Sequence, residues 1–291
     1  MKILVTGAAG QLGRELVLKL QAEGREVTGI DRDELDFSRP EQVAEGIAGH
    51  GADWVINCGA YTQVDRAEEE PELAFLVNRD SARAVAEGVA ASGGRLLQVS
   101  TDFIFDGTQS HPYGEGDQPN PLGVYGRSKW EGEQGVLEVL PEATLLRTAW
   151  VYGVHGHNFV KTMLRLASER DELTVVDDQI GTPAWTGDIA DAIMDLVDGG
   201  HAGTWHFTNE GVASWYDFAQ EIVLMARRLG YPVRVKRVRP IPSADFQTPA
   251  VRPAFSVLSK QKIRPVIGHP IPHWRQSLTT MLKANLKAGN S

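Results

Sequence analysis

Short β-branched apolar runs alternate, through the first half of the chain, with longer stretches whose apolar residues recur at helical spacing. The runs Ile3–Thr6, Val27–Ile30, Trp54–Asn57, Leu96–Val99 and Thr144–Leu146 read as strands. Between them, Leu12–Ala22, Glu41–Ala48, Glu72–Ser92 and Lys129–Leu140 carry amphipathic helical patterns. This alternation predicts an α/β fold, a Rossmann-type doubly wound parallel sheet whose ligands bind beyond the carboxyl ends of the strands. After about Val151 the regularity loosens. A helix is expected near Phe159–Glu169, a strand at Leu173–Val176, a helix at Ile189–Leu196 and a further segment at Gly203–Thr208. Prolines at 232, 240, 242, 249 and 253 make the remainder read as loops around a few small elements. The expected division is a Rossmann domain over 1–150, to which some later segments return, and a smaller C-terminal lobe over 151–291.

Composition narrows the class. With 42% hydrophobic and 23% charged residues, the chain has the apolar surface for an ordinary globular core. A formal charge of −9 argues against a nucleic-acid partner, which would need a concentrated basic face. The one basic cluster, Arg234, Lys236, Arg237 and Arg239, alternates with Val233, Val235 and Val238 and reads as a solvated strand edge. The N-terminus shows no signal-peptide pattern, and no apolar run would span a bilayer. The expectation is a cytoplasmic protein with no membrane partner. A single cysteine, Cys58, excludes an intrachain disulfide and a multi-cysteine zinc site, and reads as a small buried residue closing an apolar run. The eight histidines, His155 and His157 among them, form no trusted ligand spacing.

Gly7-Ala8-Ala9-Gly10-Gln11-Leu12-Gly13 follows the first strand directly and opens the first helix, the context that a dinucleotide fingerprint requires. Gly7 permits the tight turn, Gly10 admits a pyrophosphate close to the backbone, and Gly13 lets the helix pack on the strand. The amides at Gln11 and Leu12 then point at the negative charge. Asp31, 18 residues after Gly13, stands where a carboxylate accepts hydrogen bonds from the adenine ribose, which favours NADH. Arg32 is either a partner for the 2′-phosphate of NADPH or a solvated loop charge, so both cofactors stay open. Asp36 and Phe37 are candidates for an adenine wall, and Gly59, Ala60 and Tyr61 would pass under the dinucleotide.

A second constellation lies further on. Leu96–Val99 leads to Ser100, Thr101 and Asp102, and Tyr125 and Lys129 follow, four residues apart and so on one face of a helix. An ammonium beneath the phenol would favour its anion, lowering a pKa that is roughly 10 when unperturbed. In a ketone reduction, Tyr125 would donate the proton as the nicotinamide delivers hydride, Thr101 would orient the same oxygen, and Lys129 would also hold the nicotinamide ribose.

The Gly7–Gly13 turn, the Thr101/Tyr125/Lys129 set and the C-terminal lobe together resemble the extended short-chain dehydrogenases/reductases that modify nucleotide sugars. Their dehydratases follow the catalytic threonine with Asp-Glu, whereas this chain has Asp102-Phe103, which disfavours elimination. Ser100–Gly107, Arg147–Gly153, Asn158–Met163 and Arg252-Pro253 are similar to the dTDP-4-dehydrorhamnose reductase branch. That resemblance implies an NADPH- or NADH-dependent reduction of dTDP-4-dehydro-L-rhamnose to dTDP-L-rhamnose. It also implies a substrate site of Thr62, Val64, Thr101, Asp102, Phe103, Tyr125 and Trp150, with Arg252 meeting the diphosphate and the lobe as the substrate-binding part. Asn78 would brace the cofactor side through backbone hydrogen bonds. Some relatives dimerise through a magnesium site, for which Glu15 and Asp188 are the matching positions. The tail Leu282–Lys287 supplies no acidic ligand, so no metal and a monomer or weak homodimer are expected, with both acids as helix-surface charges. The alternatives within this resemblance are another nucleotide-sugar epimerase or reductase, and a non-catalytic regulatory subunit of the same fold.

Overall fold

Ile3, Leu4 and Val5 are all buried, and their strand, β1 (Lys2–Thr6), accordingly lies inside a sheet covered on both faces. The computed structural model describes residues 1–289. The chain continues through α1 (Gln11–Ala22), β2 (Glu26–Ile30), α2 (Pro40–His50), β3 (Trp54–Asn57), α3 (Val64–Ala67), α4 (Pro71–Phe75), α5 (Ser81–Ser92), β4 (Arg95–Thr101), α6 (Val124–Val139) and β5 (Thr144–Thr148). There follow β6 (Val151–Tyr152), α7 (Phe159–Glu169), β7 (Glu172–Val176), β8 (Ile180–Gly181), β9 (Ala184–Trp185), α8 (Thr186–Asp198), β10 (Gly203–His206), β11 (Ala213–Ser214), α9 (Trp215–Arg228), β12 (Arg237–Ile241) and α10 (Trp274–Gly289).

The doubly wound sheet expected from the alternation is present. Six parallel strands run in the order β10-β5-β4-β3-β1-β2. Period-two geometry sends Ile3, Val5, Ile56, Leu97 and Leu146 to one face and Leu4, Val55, Leu96 and Leu145 to the other. The first face packs against α1 and α8, and the second against α2, α5 and α6. Strand order reverses between β1 and β3, where Thr6 registers with Asn57, so a crevice opens at their carboxyl ends. A separate apolar core, with Tyr152, Val160, Phe218, Ile222, Trp274 and Leu278, joins α7, α9 and α10 to β7 and β12.

Several readings of the sequence need correction. The helix expected over Glu72–Ser92 is interrupted by a π-helical stretch at Leu76–Asp80. That stretch presses the Asn78 carbonyl against α6, where a side chain on Gly132 would begin 2.0 Å from it. The second half is not mostly loop, because α9 and α10 have 14 and 16 residues. The prolines fall between these two helices, and the capping box of Ser214 and Asp217 at the start of α9 was the available signal. Asp188 is not a surface charge. It is buried, its Oδ2 accepts hydrogen bonds from Asn209 Nδ2 and Ser277 Oγ (both 2.5 Å), and burial raises its pKa. Glu15 is half-buried beside Lys19 and Asp191, and its pKa is raised for the same reason. The basic edge is exposed and partly offset, since Arg234 and Lys236 share Asp171 and Arg239 pairs with Glu172. Among the described residues no helix is long and apolar enough to cross a membrane.

Candidate active site

A cleft of about 1040 Å³ opens at the reversal between β1 and β3. At one end is the glycine turn. Gly7 has φ +65°, and a side chain there would begin 2.7 Å from the Gly59 amide nitrogen. At Gly13 it would begin 2.2 Å from the Gly7 carbonyl, so α1 packs on the turn only through glycine. Gly10, the N-cap of α1, offers no side-chain cap, and the first-turn amides of Gln11, Leu12 and Gly13 form the positive end of the helix dipole at the cleft wall. Asp31 lies at the end of β2, where its carboxylate accepts from Ala9 N (2.7 Å) and Arg32 N (2.8 Å). The Arg32 side chain is 79% exposed and lies 3.8 Å from Asp36. Asp36 is held below the usual carboxylate range by hydrogen bonds from Ser38. Phe37 packs beneath Gly59, where a β-carbon would meet its ring at 2.8 Å. Gly59, Ala60 and Tyr61 line the floor.

The floor rests on a polar relay that sequence reasoning missed and on Asn78, which it had placed as a brace. Thr6 Oγ1 donates to Asn57 Oδ1 (2.6 Å), and Asn57 Nδ2 donates to Gln98 Oε1 (2.7 Å), a buried polar relay across β1, β3 and β4. Asn57 Oδ1 also accepts from Gly59 N, which sets the turn after β3. Polar residues at strand ends were the signal. Asn78 brackets Tyr61 by accepting from its N–H (2.9 Å) and donating to its carbonyl (3.0 Å), and donates further to Ser128 Oγ on α6. A second missed group is the loop before α7. Asn158 caps that helix by accepting from Lys161 N and donates to Gln11 Oε1 (2.9 Å), so Gly156, His157 and Asn158 close over the glycine turn. Cys58 is half-buried, packed against the core cluster of the first sheet face and also lining the cleft, and desolvation pushes its thiol up to about 12, which leaves it inert as a nucleophile.

At the other end of the cleft, β4 presents Thr101 and α6 presents Tyr125 and Lys129. Thr101 Oγ1 donates to Asp102 Oδ1 (3.2 Å) and accepts from Phe103 N (3.2 Å). Glu68 Oε1 accepts from Val124 N (2.8 Å), a carboxylate cap on the first turn of the helix that carries Tyr125. The Tyr125 phenol is pushed up to about 12, first by burial and also by the Asp102 charge, with a hydrogen bond to Thr101 opposing. This corrects the expectation that Lys129 favours the phenolate. The Lys129 ammonium donates to the Val99 carbonyl (2.8 Å), and burial lowers its pKa to about 8 against the opposing charge of Glu133. Tyr125 is thus held as a proton-bearing group. Asp102 is buried, and desolvation carries its carboxyl up to about 6, with the hydroxyls of Ser256 and Thr101 opposing.

Trp150 has φ +46°, the only non-glycine residue described with positive φ, and stacks on Trp215 at 3.6 Å and 6°. Its indole covers Gly181, where any side chain would collide with the ring. Phe103 meets Tyr125 edge-on at 5.6 Å. Thr62 and Val64 stand on the rim. Arg252 lies outside the main cleft, lining a smaller cavity with Phe103, Trp150 and Trp215, and its guanidinium is engaged by Asp65.

Residues 1–287 match the model of the RmlD substrate binding domain family. A dTDP-4-dehydrorhamnose reductase from Streptomyces griseus is 43% identical over 97% of this chain and 93% of its own length. The chain belongs to the dTDP-4-dehydrorhamnose reductase family. Other members of similar identity include a dTDP-4-keto-6-deoxy-D-glucose reductase from Streptomyces niveus, 42% identical over 95% of this chain and 94% of its own. The family's fold is the one described above. A dTDP-4-dehydrorhamnose reductase from Clostridium acetobutylicum superposes with a TM-score of 0.92 at 39% identity, covering 98% of this chain and 99% of that one. The Bacillus anthracis enzyme, solved in complex with NADP, gives 0.91 at 36% identity, covering 98% and 100%.

Proposed function

We propose that the chain reduces the 4-keto group of dTDP-4-dehydro-L-rhamnose to the alcohol of dTDP-L-rhamnose, with NADPH or NADH as reductant. The observation that carries this is the meeting of Thr101, Tyr125 and Lys129 in the lining of one cleft that begins at an uncapped helix N-terminus. The glycine turn fits a dinucleotide, because α1 offers unpaired amides to its pyrophosphate where a β-carbon on Gly7 or Gly13 would disrupt the backbone. Asp31 and Arg32 would hold the adenine ribose, Phe37 the adenine, and Lys129 the nicotinamide ribose. The bound nicotinamide supplies the hydride. Thr101 orients the carbonyl oxygen, and Tyr125 Oη gives it the proton as negative charge develops there. Trp150 and Phe103 wall the sugar, and Arg252 meets the diphosphate. The exposed Arg32 is free to take a 2′-phosphate, which supports NADPH, as does the NADP in the Bacillus anthracis relative.

A second reading keeps the chemistry and changes the sugar. A relative of nearly equal identity is named for dTDP-4-keto-6-deoxy-D-glucose, so identity alone does not choose between the ketosugars. Absorbance of reduced nicotinamide, followed with NADPH or NADH and each dTDP-4-ketosugar in turn, separates the readings. Oxidation that falls about 10²–10⁴-fold in Tyr125→Phe is expected. No oxidation with either cofactor, in a protein that binds the sugar nucleotide, would refute the reductase reading.

A further inference from the structure

Asp65, the second residue of α3, reaches across the substrate end of the cleft to a segment 187 positions later. Its Oδ1 accepts from Arg252 Nη1 (3.0 Å) and from the Ala250 amide (3.3 Å), and its Oδ2 accepts from Arg252 Nη2 (2.7 Å). Arg252 Nη1 donates further to Thr248 Oγ1 (2.5 Å) and the Ala250 carbonyl (3.3 Å). The segment has little apolar anchorage of its own, with Phe246 and Val251 mostly exposed. Its other fixed point is Pro253, which packs so closely on Gly107 that a side chain there would begin 2.7 Å away.

The pattern of donors is informative. A guanidinium has five N–H groups in a planar fork. Asp65 takes the end-on edge formed by Nη1 and Nη2, and the turn's own oxygens take the rest of Nη1. Among the described residues nothing occupies Nε or the second N–H of Nη2, which lie together on the side-on edge. Two parallel N–H groups match two phosphate oxygens. Arg252 lines the small cavity with Phe103 and Trp150, both of which also line the main cleft with Tyr125.

We infer that Asp65 is a positioning residue for the sugar nucleotide: it docks the 248–252 turn on α3 and fixes Arg252 so that its Nε/Nη2 edge receives the diphosphate. The inference rests on the reading of Arg252 given above. Because the Asp65–Arg252 pair is neutral overall, recognition depends on the direction of these N–H groups rather than on a free cation. Loss of Asp65 therefore weakens diphosphate binding even though it removes a negative charge from the site, which is the opposite of what simple electrostatics gives.

The test uses the full chain as Asp65→Asn, Arg252→Gln and the double variant. Each is assayed for KM toward the dTDP-ketosugar and NADPH, and each is titrated calorimetrically with dTDP and with thymidine. Asp65→Asn is expected to raise the sugar-nucleotide KM and the dTDP Kd about tenfold and to leave the NADPH KM within about twofold. The thymidine Kd should move little, Asp65→Glu should recover part of the loss, and the double variant should bind dTDP no worse than Arg252→Gln alone. Tighter or unchanged dTDP binding in Asp65→Asn, multiplied effects in the double variant, or equal rises in both KM values would overturn the inference. The dTDP titration needs no turnover, so a wild-type protein that oxidises no cofactor would sink the reductase reading while still reporting on Asp65.

Discussion

The two ends of the cleft are built in different ways. At the glycine-turn end, Gly7, Gly13, Asp31 and Phe37 lie within the first 37 residues and set the turn itself through backbone geometry and contacts such as Ala9 to Asp31, while Gly59 packs beneath it and Asn158 reaches Gln11 from later in the chain. At the Trp150 end, the wall is supported by pairs from segments far apart in the chain: Trp150 is backed by Trp215, and Asp65 holds Arg252 in the adjoining small cavity. A dinucleotide pyrophosphate needs amides and close approach, which one short turn provides. A particular sugar needs shaped side-chain walls, which a fold assembles from several places. One architecture can thus hold its cofactor chemistry constant while the far wall changes, in keeping with near-equal identity among relatives named for different ketosugars.

The largest expected effect tests the first end. Gly13→Val would drive a side chain into the Gly7 carbonyl and displace α1 from the turn at a cost of about 3 kcal/mol. NADPH affinity, measured by fluorescence titration, should fall at least about a hundredfold. Retained affinity would mean that the turn does not hold the cofactor.

Beside Thr101 and Tyr125, Asp102→Asn gains stability and loses function. The folded-state pKa of Asp102 is raised to about 6, so its favourable contribution is full below the unfolded value and is lost as pH rises through about 6. The asparagine variant should therefore match wild type in thermal unfolding near pH 4 and exceed it above pH 6, by up to about 3 kcal/mol. Its reductase rate should drop. Equal stabilities at every pH would show that the carboxyl is solvated.

The smallest effect belongs to the far wall. Trp215→Ala removes the stack that supports the strained backbone of Trp150, and the sugar-nucleotide KM should rise about three- to tenfold with NADPH KM unchanged. A rise in both would break the contrast between the two ends.

Five of the sheet's six strands were legible because short β-branched or apolar runs alternate with helices, whereas β10, with the sequence Gly203-Thr204-Trp205-His206, gave no such signal. The interruption at Leu76–Asp80 was not, because a π-helical stretch keeps the helical pattern while shifting it by one residue, and it carries the bracket from Asn78 to Tyr61, a contact between separate segments. Thr101, Tyr125 and Lys129 could be singled out by order and spacing, and the structure brings all three to one end of the cleft. Their electrostatics could not be read. Spacing places Lys129 on the same helix face as Tyr125 but does not reveal that Val99 holds its ammonium or that burial dominates both groups.

What the amino-acid sequence determined by itself was whatever depends on local geometry. That covers the alternation that makes the doubly wound sheet, the glycines that a tight turn and a close helix require, and the hydroxyls at a strand end with Tyr125 and Lys129 one helical turn apart. Tertiary structure decided the electrostatic surroundings and the partners: the burial of Asp188 between Asn209 and Ser277, the desolvation that raises the Tyr125 phenol, and the capture of Arg252 by Asp65. The physical reason is that desolvation and ion pairing depend on which groups meet in space, and groups 187 residues apart leave no periodic trace of their meeting.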